Sequence, residues 1–389
     1  MANIKDNIMN KNNRLGLRTW IEIDKGAIAH NYAVFRGLIT KGTKLLGVVK
    51  SNAYGHNLVE FAKELEKFGI DYLAVDSAVE GIALRKEGIK IPILVLGYTL
   101  PEMIEKAVEN NLEITISNFD YFKEIKSLEK TRDLPEIKVH IKVDTGMHRH
   151  GFQEGDIKKV INDINKLKNK LEVVGLYTHF AAAKNPAFPK ETQKQIEIFN
   201  KWQEAFRKAN LSPICHSSAT SGTILFPEAH FDMVRAGIGL YGIWPSNETK
   251  GYAENKFKLK PVLSWKTVIA EINNIKAGEK IGYDFTEKLF KDSKVAILPI
   301  GYWHGYPRAL SGIGTVLING KRAKVLGRIC MDIMMIDVTN IKCKVGDEVT
   351  IIGVHGKGKI LVDELATLLD ASAYELVTRV NPLIKRIYK

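Results

Sequence analysis

From Asp24 to Trp244 the chain alternates short apolar runs with longer amphipathic stretches eight times, and this rhythm constrains the fold more than any single motif. The apolar runs are 44–50, 72–76, 92–96, 113–116, 138–143, 173–179, 213–216 and 233–241. They are too short and too rich in β-branched residues for helices, so they read as buried strands. Helical periodicity fills the intervals at 58–68, 79–87, 101–109, 119–129, 154–167 and 191–208, with a short piece at 221–225. Eight strand-and-crossover units of this length predict an α/β fold, a (β/α)8 TIM-like barrel. A doubly wound sheet is the alternative, but no Gly-x-Gly-x-x-Gly follows the first strand.

After Pro245 the texture changes. Residues 247–260 read as a polar, Lys-rich connection, followed by closely spaced strand signals at 262–272, 295–300, 314–318, 324–329, 334–338 and 348–352. A helical pattern returns at 362–369. The expected division is a barrel over 20–255 and a mostly β C-terminal domain over 256–389, with residues 1–19 packing on the latter. Residues 18–23 alternate like a strand that could return to join that domain.

Bulk properties narrow the function. A 389-residue chain with 45% hydrophobic residues has material for a large core. No apolar run reaches the ~18 residues of a membrane span, and residues 1–18 lack the apolar stretch of a secretory signal. Cys215, Cys330 and Cys343 are odd in number and lack metal-ligand spacing, which favours a reducing cytoplasm. The net charge of +13 is spread through helix-like segments beside glutamates, as in 60–67. That pattern predicts a basic surface favouring anionic ligands, not nucleic-acid binding.

In such barrels the reactive groups gather at the carboxyl ends of the strands. Lys50 and Tyr54 follow the first strand, 144–149 the fifth, His179 the sixth, 217–222 the seventh, and Arg235 lies in the eighth. Each residue alone has a structural explanation: a snorkelling Lys, a core His, a solvated Arg. Jointly they supply an amine, two guanidiniums, an imidazole and a small-residue loop with free N–H groups. Those are the parts needed to hold pyridoxal 5'-phosphate, with Lys50 bonded to the aldehyde.

These residues carry a resemblance. The segments 49–56 (VKSNAYGH), 142–149 (KVDTGMHR), 177–181 (YTHFA) and 233–242 (MVRAGIGLYG) are similar to the alanine racemase family. So are Gly282-Tyr283, Gly301-Tyr302, 327–332 (GRICMD) and Tyr374-Glu375. The likeness covers nearly the whole chain.

The resemblance implies a role for each residue. Lys50 would carry the cofactor, while Tyr54, Thr220, Gly237, Ile238 and Tyr374 contact its phosphate. Arg149 would approach the phenolic oxygen and the substrate, His179 would flank the cofactor, and Arg235 would face the pyridine nitrogen. Lys142 matches a position that the family often carbamylates. Lys50 and Tyr283 would be bases on opposite faces of the substrate Cα, the phenolate of Tyr283 being favoured by positive charge on His179 and Arg235. Tyr302, Met331 and Asp332 would reach the substrate.

The implied assembly is a head-to-tail homodimer with shared sites, and the implied role is supply of D-alanine for peptidoglycan. Racemisation of serine or several amino acids is the near alternative. A decarboxylase on the same scaffold is opposed by Arg235, where a carboxylate would be needed, and a barrel that only stores the cofactor would not need Tyr283 or Met331. Two positions depart from the family pattern: Thr220 replaces the usual Ser. His304 replaces a commoner Asp, with an expected effect on the polarity of the access path.

Overall fold

The computed structural model describes residues 16–129 and 135–389; expectations for 1–15 lie outside the described residues. The described residues form two compact units, one within 26–54 and 58–260, the other of 16–25, 55–57 and 261–389.

The first unit is the barrel. Its parallel strands are Lys44–Val48, Tyr72–Val75, Ile93–Val95, Glu113–Ile116, Ile137–Lys142, Leu171–Tyr177, Ile214–His216 and Met233–Ala236. Each pairs with the next up to the seventh, and the eighth pairs with the first. Between the seventh and eighth, the Asp232 N–H donates to the Cys215 carbonyl at 3.0 Å and the Arg235 N–H to the Ser218 carbonyl at 2.9 Å.

Crossover helices bury one stripe each. In Pro189–Lys208 the stripe is Ile196, Phe199, Trp202 and Phe206, at spacings that keep one face inward. Burying such side chains stabilises by about 1.5–3 kcal/mol apiece. Strand residues alternate in direction, so Leu46, Val48, Tyr72, Ala74, Leu94 and Met233 form an apolar cluster. Glu113, His140, Lys142, His216 and Arg235 are buried as well.

Three sequence expectations differ here. The first strand ends at Val48, because the next residues turn into a left-handed conformation. The eighth ends at Ala236, beyond which Ile238–Tyr241 forms a 3-10 turn. The polar connection contains a helix, Asn247–Ala253, started by Ser246, whose hydroxyl accepts the Thr249 N–H at 3.1 Å. Its lysines concealed that N-cap signal.

The second unit is built on a ten-stranded sheet. Thr19–Ile23 belongs to it, antiparallel to Leu263–Val268 and parallel to Arg386–Tyr388. A barrel beginning at residue 20 is therefore corrected: Trp20, Ile21 and Ile23 are buried in this unit, and their strand answers the alternation seen at 18–23. The single strand expected over 262–272 is two, Leu263–Val268 and Glu271–Ile275, which pair with different neighbours.

Candidate active site

Lys50 opens the most strained segment of the barrel unit. Ser51, Asn52, Ala53 and Tyr54 have φ of 55°, 56°, 51° and 50°, a left-handed turn that costs about 1–2 kcal/mol per non-glycine residue. Specific bonds hold it. The Ala53 N–H donates to the Val49 carbonyl at 2.8 Å. Glu80 accepts the Asn52 N–H at 3.2 Å through one oxygen and the Asp76 N–H at 2.9 Å through the other. Asn52 Oδ1 accepts the Leu58 N–H at 2.9 Å.

Strain held this firmly is a mark of a functional segment. The turn brings Lys50 Nζ to 2.7 Å from Asp76 Oδ1. It also tucks Tyr54 against Tyr241, ring centroids 4.8 Å apart. Burial pushes the Tyr54 phenol up to about 12, so it remains a donor at neutral pH.

Tyr54 faces a small-residue cradle. A Cβ on Gly237 would stand 2.9 Å from the Tyr54 hydroxyl, so only glycine leaves this approach open. Thr220 Oγ1 accepts the Gly237 N–H at 3.0 Å, which leaves its own proton to donate. Ile238 begins a 3-10 turn, so its N–H has no partner within that turn. Two hydroxyls and a backbone N–H make a neutral donor set for an anion.

Arg235 is buried and almost fully committed. NH1 donates to His216 Nδ1 at 2.7 Å and to the His216 carbonyl at 3.1 Å. NH2 donates to the carbonyls of Thr178 and Ser217, each at 2.7 Å, with His179 Nδ1 at 3.5 Å. Of the five N–H groups of a guanidinium, Nε–H alone has no partner among the described residues. Burial lowers Arg235 to about 10, still charged at neutral pH.

His179 is held well below its ordinary value by burial first, then by Arg235 and Lys142. That disfavours its protonated form, so the positive charge near a phenolate at this site comes from Arg235.

Lys142, 5% exposed, lies 4.7 Å from the Tyr177 ring centroid. Burial, and then the charges of Arg235 and Arg149, bring its amine down to about 7. It shares a recess with Asp144, Arg149, His150 and His179. Asp144 Oδ1 folds the loop below Arg149 by accepting the N–H groups of Gly146, Met147 and His148 at 2.9, 3.0 and 3.1 Å.

Thus Lys50, Tyr54, Lys142, Arg149, His179, Thr220, Arg235, Gly237 and Ile238 all lie in one unit, in or just beyond its strands. Sequence reasoning missed Asp76, Glu80, Glu113, His140 and His216. Asp76 and Glu80 follow the second strand, where in sequence a carboxylate reads as an ordinary solvated residue. The other three are polar residues inside strand runs, a signal present in the sequence.

The remaining expected residues lie in the second unit. The Tyr302 N–H donates to the Cys330 carbonyl at 3.1 Å and the Trp303 N–H to that of Met331 at 3.0 Å, which ties the Tyr302 loop to Met331 and Asp332. Beneath them His304 is 4% exposed. Its Nδ1 accepts the Gly301 N–H at 3.2 Å and stands 4.0 Å from Asp332 Oδ1. It therefore supports the loop from inside. Tyr283 is 66% exposed, beside Asp284, which pairs with Arg328 at 2.5 Å. Tyr374 lies on the helix Ala373–Thr378.

The barrel residues fit pyridoxal phosphate on three separate counts: an amine at the mouth, a neutral anion cradle, and one uncommitted guanidinium N–H able to meet a pyridine nitrogen.

Comparison with known proteins agrees with this geometry. Residues 23–245 match the family model "Alanine racemase, N-terminal domain" and residues 262–388 match "Alanine racemase, C-terminal domain". The chain is 38% identical over 380 residues to an alanine racemase of Halothermothrix orenii, covering 97% of this chain and 98% of that one. It is 40% identical over 372 residues to one of Methanococcus maripaludis, covering 95% and 98%. Among solved structures, the alanine racemase of Clostridium difficile superimposes with a TM-score of 0.88 at 33% identity, covering 96% of both chains. That of Bacillus anthracis with bound L-Ala-P gives 0.89 at 33%, covering 96% of this chain and 95% of that one. In the described residues no helix is long and apolar enough to cross a membrane.

Proposed function

The chain belongs to the alanine racemase family, and on that premise we propose that it interconverts L- and D-alanine with pyridoxal 5'-phosphate, using Lys50 and Tyr283 as the two bases. It is an isomerase acting on an amino acid. The observation that carries the cofactor reading is Arg235, whose four terminal N–H groups are spent on the barrel while Nε–H remains for an outside acceptor.

Bound pyridoxal phosphate acidifies the Cα–H of an amino acid joined to it. The chain supplies the rest. Lys50 would hold the cofactor by its aldehyde and, as a free amine when substrate is bound, would take or return a proton on one face of Cα. Tyr54, Thr220, Gly237 and Ile238 would hold the phosphate. Arg149 orients the phenolic oxygen and the substrate carboxylate. Arg235 stays charged and only donates, so it delivers no proton to the pyridine nitrogen. That would disfavour transamination and leave proton removal and return at Cα as the outcome.

Lys142, an amine brought down to about 7, is largely unprotonated in mildly alkaline solution and can add carbon dioxide. The resulting carbamate would place a negative charge beside Arg149.

The second base comes from the other chain of a head-to-tail homodimer: Tyr283 of the partner subunit serves the opposite face of Cα, with Tyr302, Met331 and Asp332 lining the substrate. Two bases on opposite faces invert the centre without either crossing the ring. The same proposal includes a cytoplasmic location and D-alanine supply for peptidoglycan.

The test is incubation with L-alanine in deuterated water, following Cα deuteration and loss of optical rotation together, then with L-serine and other amino acids. Deuteration without inversion would remove the second base. No exchange with alanine but exchange with serine would overturn the substrate.

A further inference from the structure

We infer that Glu113 is a positioning residue for the Arg235 guanidinium, acting at the far end of a directed line of hydrogen bonds, Arg235 to His216 to His140 to Glu113. The line runs through the barrel interior and every member is buried. Arg235 NH1 lies 2.7 Å from His216 Nδ1, His216 Nε2 lies 3.0 Å from His140 Nδ1, and His140 Nε2 lies 2.7 Å from Glu113 Oε2.

The direction follows from one fact. A guanidinium can only donate, so His216 Nδ1 must offer a lone pair and its proton must sit on Nε2. That proton points at His140 Nδ1, which must accept in turn, and the His140 proton is forced to Nε2. Only an acceptor can close the line, and Glu113 is that acceptor. Both imidazoles are therefore neutral, and Glu113–His140 is not a contact between opposite full charges. Burial and the Arg235 charge hold His216 well below its ordinary value, in keeping with a neutral ring.

The barrel is shaped for the line. A Cβ on Gly175 would fall 2.0 Å from His140 Nδ1, so the absent side chain is where the imidazole sits. The His216 ring stacks on Tyr177 at 4.8 Å between centroids and 4° between planes. Burial first, then the nearby Glu113 carboxylate, raise the Tyr72 phenol above its ordinary value. Together with the carbonyls of His216, Thr178 and Ser217, a fixed His216 Nδ1 sets the in-plane rotation of the guanidinium and the aim of its Nε–H. The role assigned to Nε–H rests on the cofactor reading above, whereas the proton positions do not.

The experiment uses full-length protein labelled with 15N-histidine, with and without pyridoxal phosphate, plus Glu113→Gln and Glu113→Leu. Expected in both forms are His140 and His216 as neutral Nε2–H tautomers from pH 6 to 9. An Nδ1–H tautomer, or a doubly protonated His140 at neutral pH, overturns the line. Glu113→Gln retains an acceptor and should keep both tautomers, the cofactor absorbance maximum and kcat within about threefold of the parent. Glu113→Leu should shift that maximum and lower kcat more than tenfold with little change in KM. Equal loss in both variants, or loss of stability alone with kcat and absorbance unchanged, sinks the positioning role. If the tautomers appear as expected and no cofactor binds, the cofactor reading fails and the line stands.

Discussion

Lys50 Nζ lies 2.7 Å from Asp76 Oδ1, and this ion pair spans the turn beyond the first barrel strand and the end of the second. Both side chains are substantially exposed, 37% and 54%, so the pair contributes about 0.2–1 kcal/mol. Lys50 must leave Asp76 before its nitrogen can bond an aldehyde carbon. Asp76→Asn should therefore speed uptake of pyridoxal phosphate at pH 7, by at most about fivefold on that energy. Stopped-flow absorbance of cofactor-free protein measures it; slower uptake would mean that Asp76 assists the attachment.

Lys50→Ala and Tyr283→Phe should each lose activity by about 10²–10⁴-fold, as expected for a removed acid–base group. Tyr283→Phe should leave cofactor affinity within a few fold. Mixed after subunit exchange, the two inactive variants should recover roughly a quarter of the parent activity, because half the dimers carry one intact composite site. No recovery in samples where native mass spectrometry detects hybrid dimers would refute shared sites.

Gly175→Ala places a methyl group 2.0 Å from His140 Nδ1. Overpacking of this kind costs about 1–3 kcal/mol. Denaturant unfolding should show a lower midpoint at unchanged slope. An unchanged midpoint would mean that the imidazole moves aside freely.

Lys142 links stability to pH. Its folded value, about 7, is below the ordinary 10.5. Between those limits the unfolded chain holds a proton that the folded chain lacks, so this group makes stability rise with pH, by up to about 1.4 kcal/mol per unit. Lys142→Met should flatten that slope in urea titrations from pH 7 to 10. An identical slope would place the amine in a solvated setting. Separately, 13C-bicarbonate should give a carbamate resonance that disappears in the variant.

His304 should govern the acid side of the second unit. Burial holds its value below the ordinary 6.5, so as pH falls the unfolded chain takes up a proton first and stability drops below about pH 6.5. Protonation also removes the lone pair that accepts the Gly301 N–H. His304→Leu should lose about 1–3 kcal/mol at pH 8, the cost of an unmet buried N–H, along with part of the acid slope. Thermal scans at pH 5 and 8 read both effects.

Much of this was legible in the chain. The eightfold alternation specifies the barrel because strand and helix burial have different periods, and Lys50, Arg149, His179 and Arg235 stand at positions that this topology brings to one end. Asp76 and Glu80 were not legible, because a carboxylate after a strand looks like any solvated loop residue until a left-handed turn needs its oxygens. That His304 lies beneath its loop was not legible, since sequence order cannot separate a loop's lining from its support.

Local periodicity, which depends on near neighbours, determined the barrel, the β domain and most strand limits. Tertiary structure decided what depends on partners distant in sequence: that Thr19–Ile23 joins the second sheet, that burial disfavours a protonated His179, and that Arg235 keeps a single N–H uncommitted among the described residues. Charge and proton position are set by burial and by the direction of each hydrogen bond, and neither exists before the strands close around them.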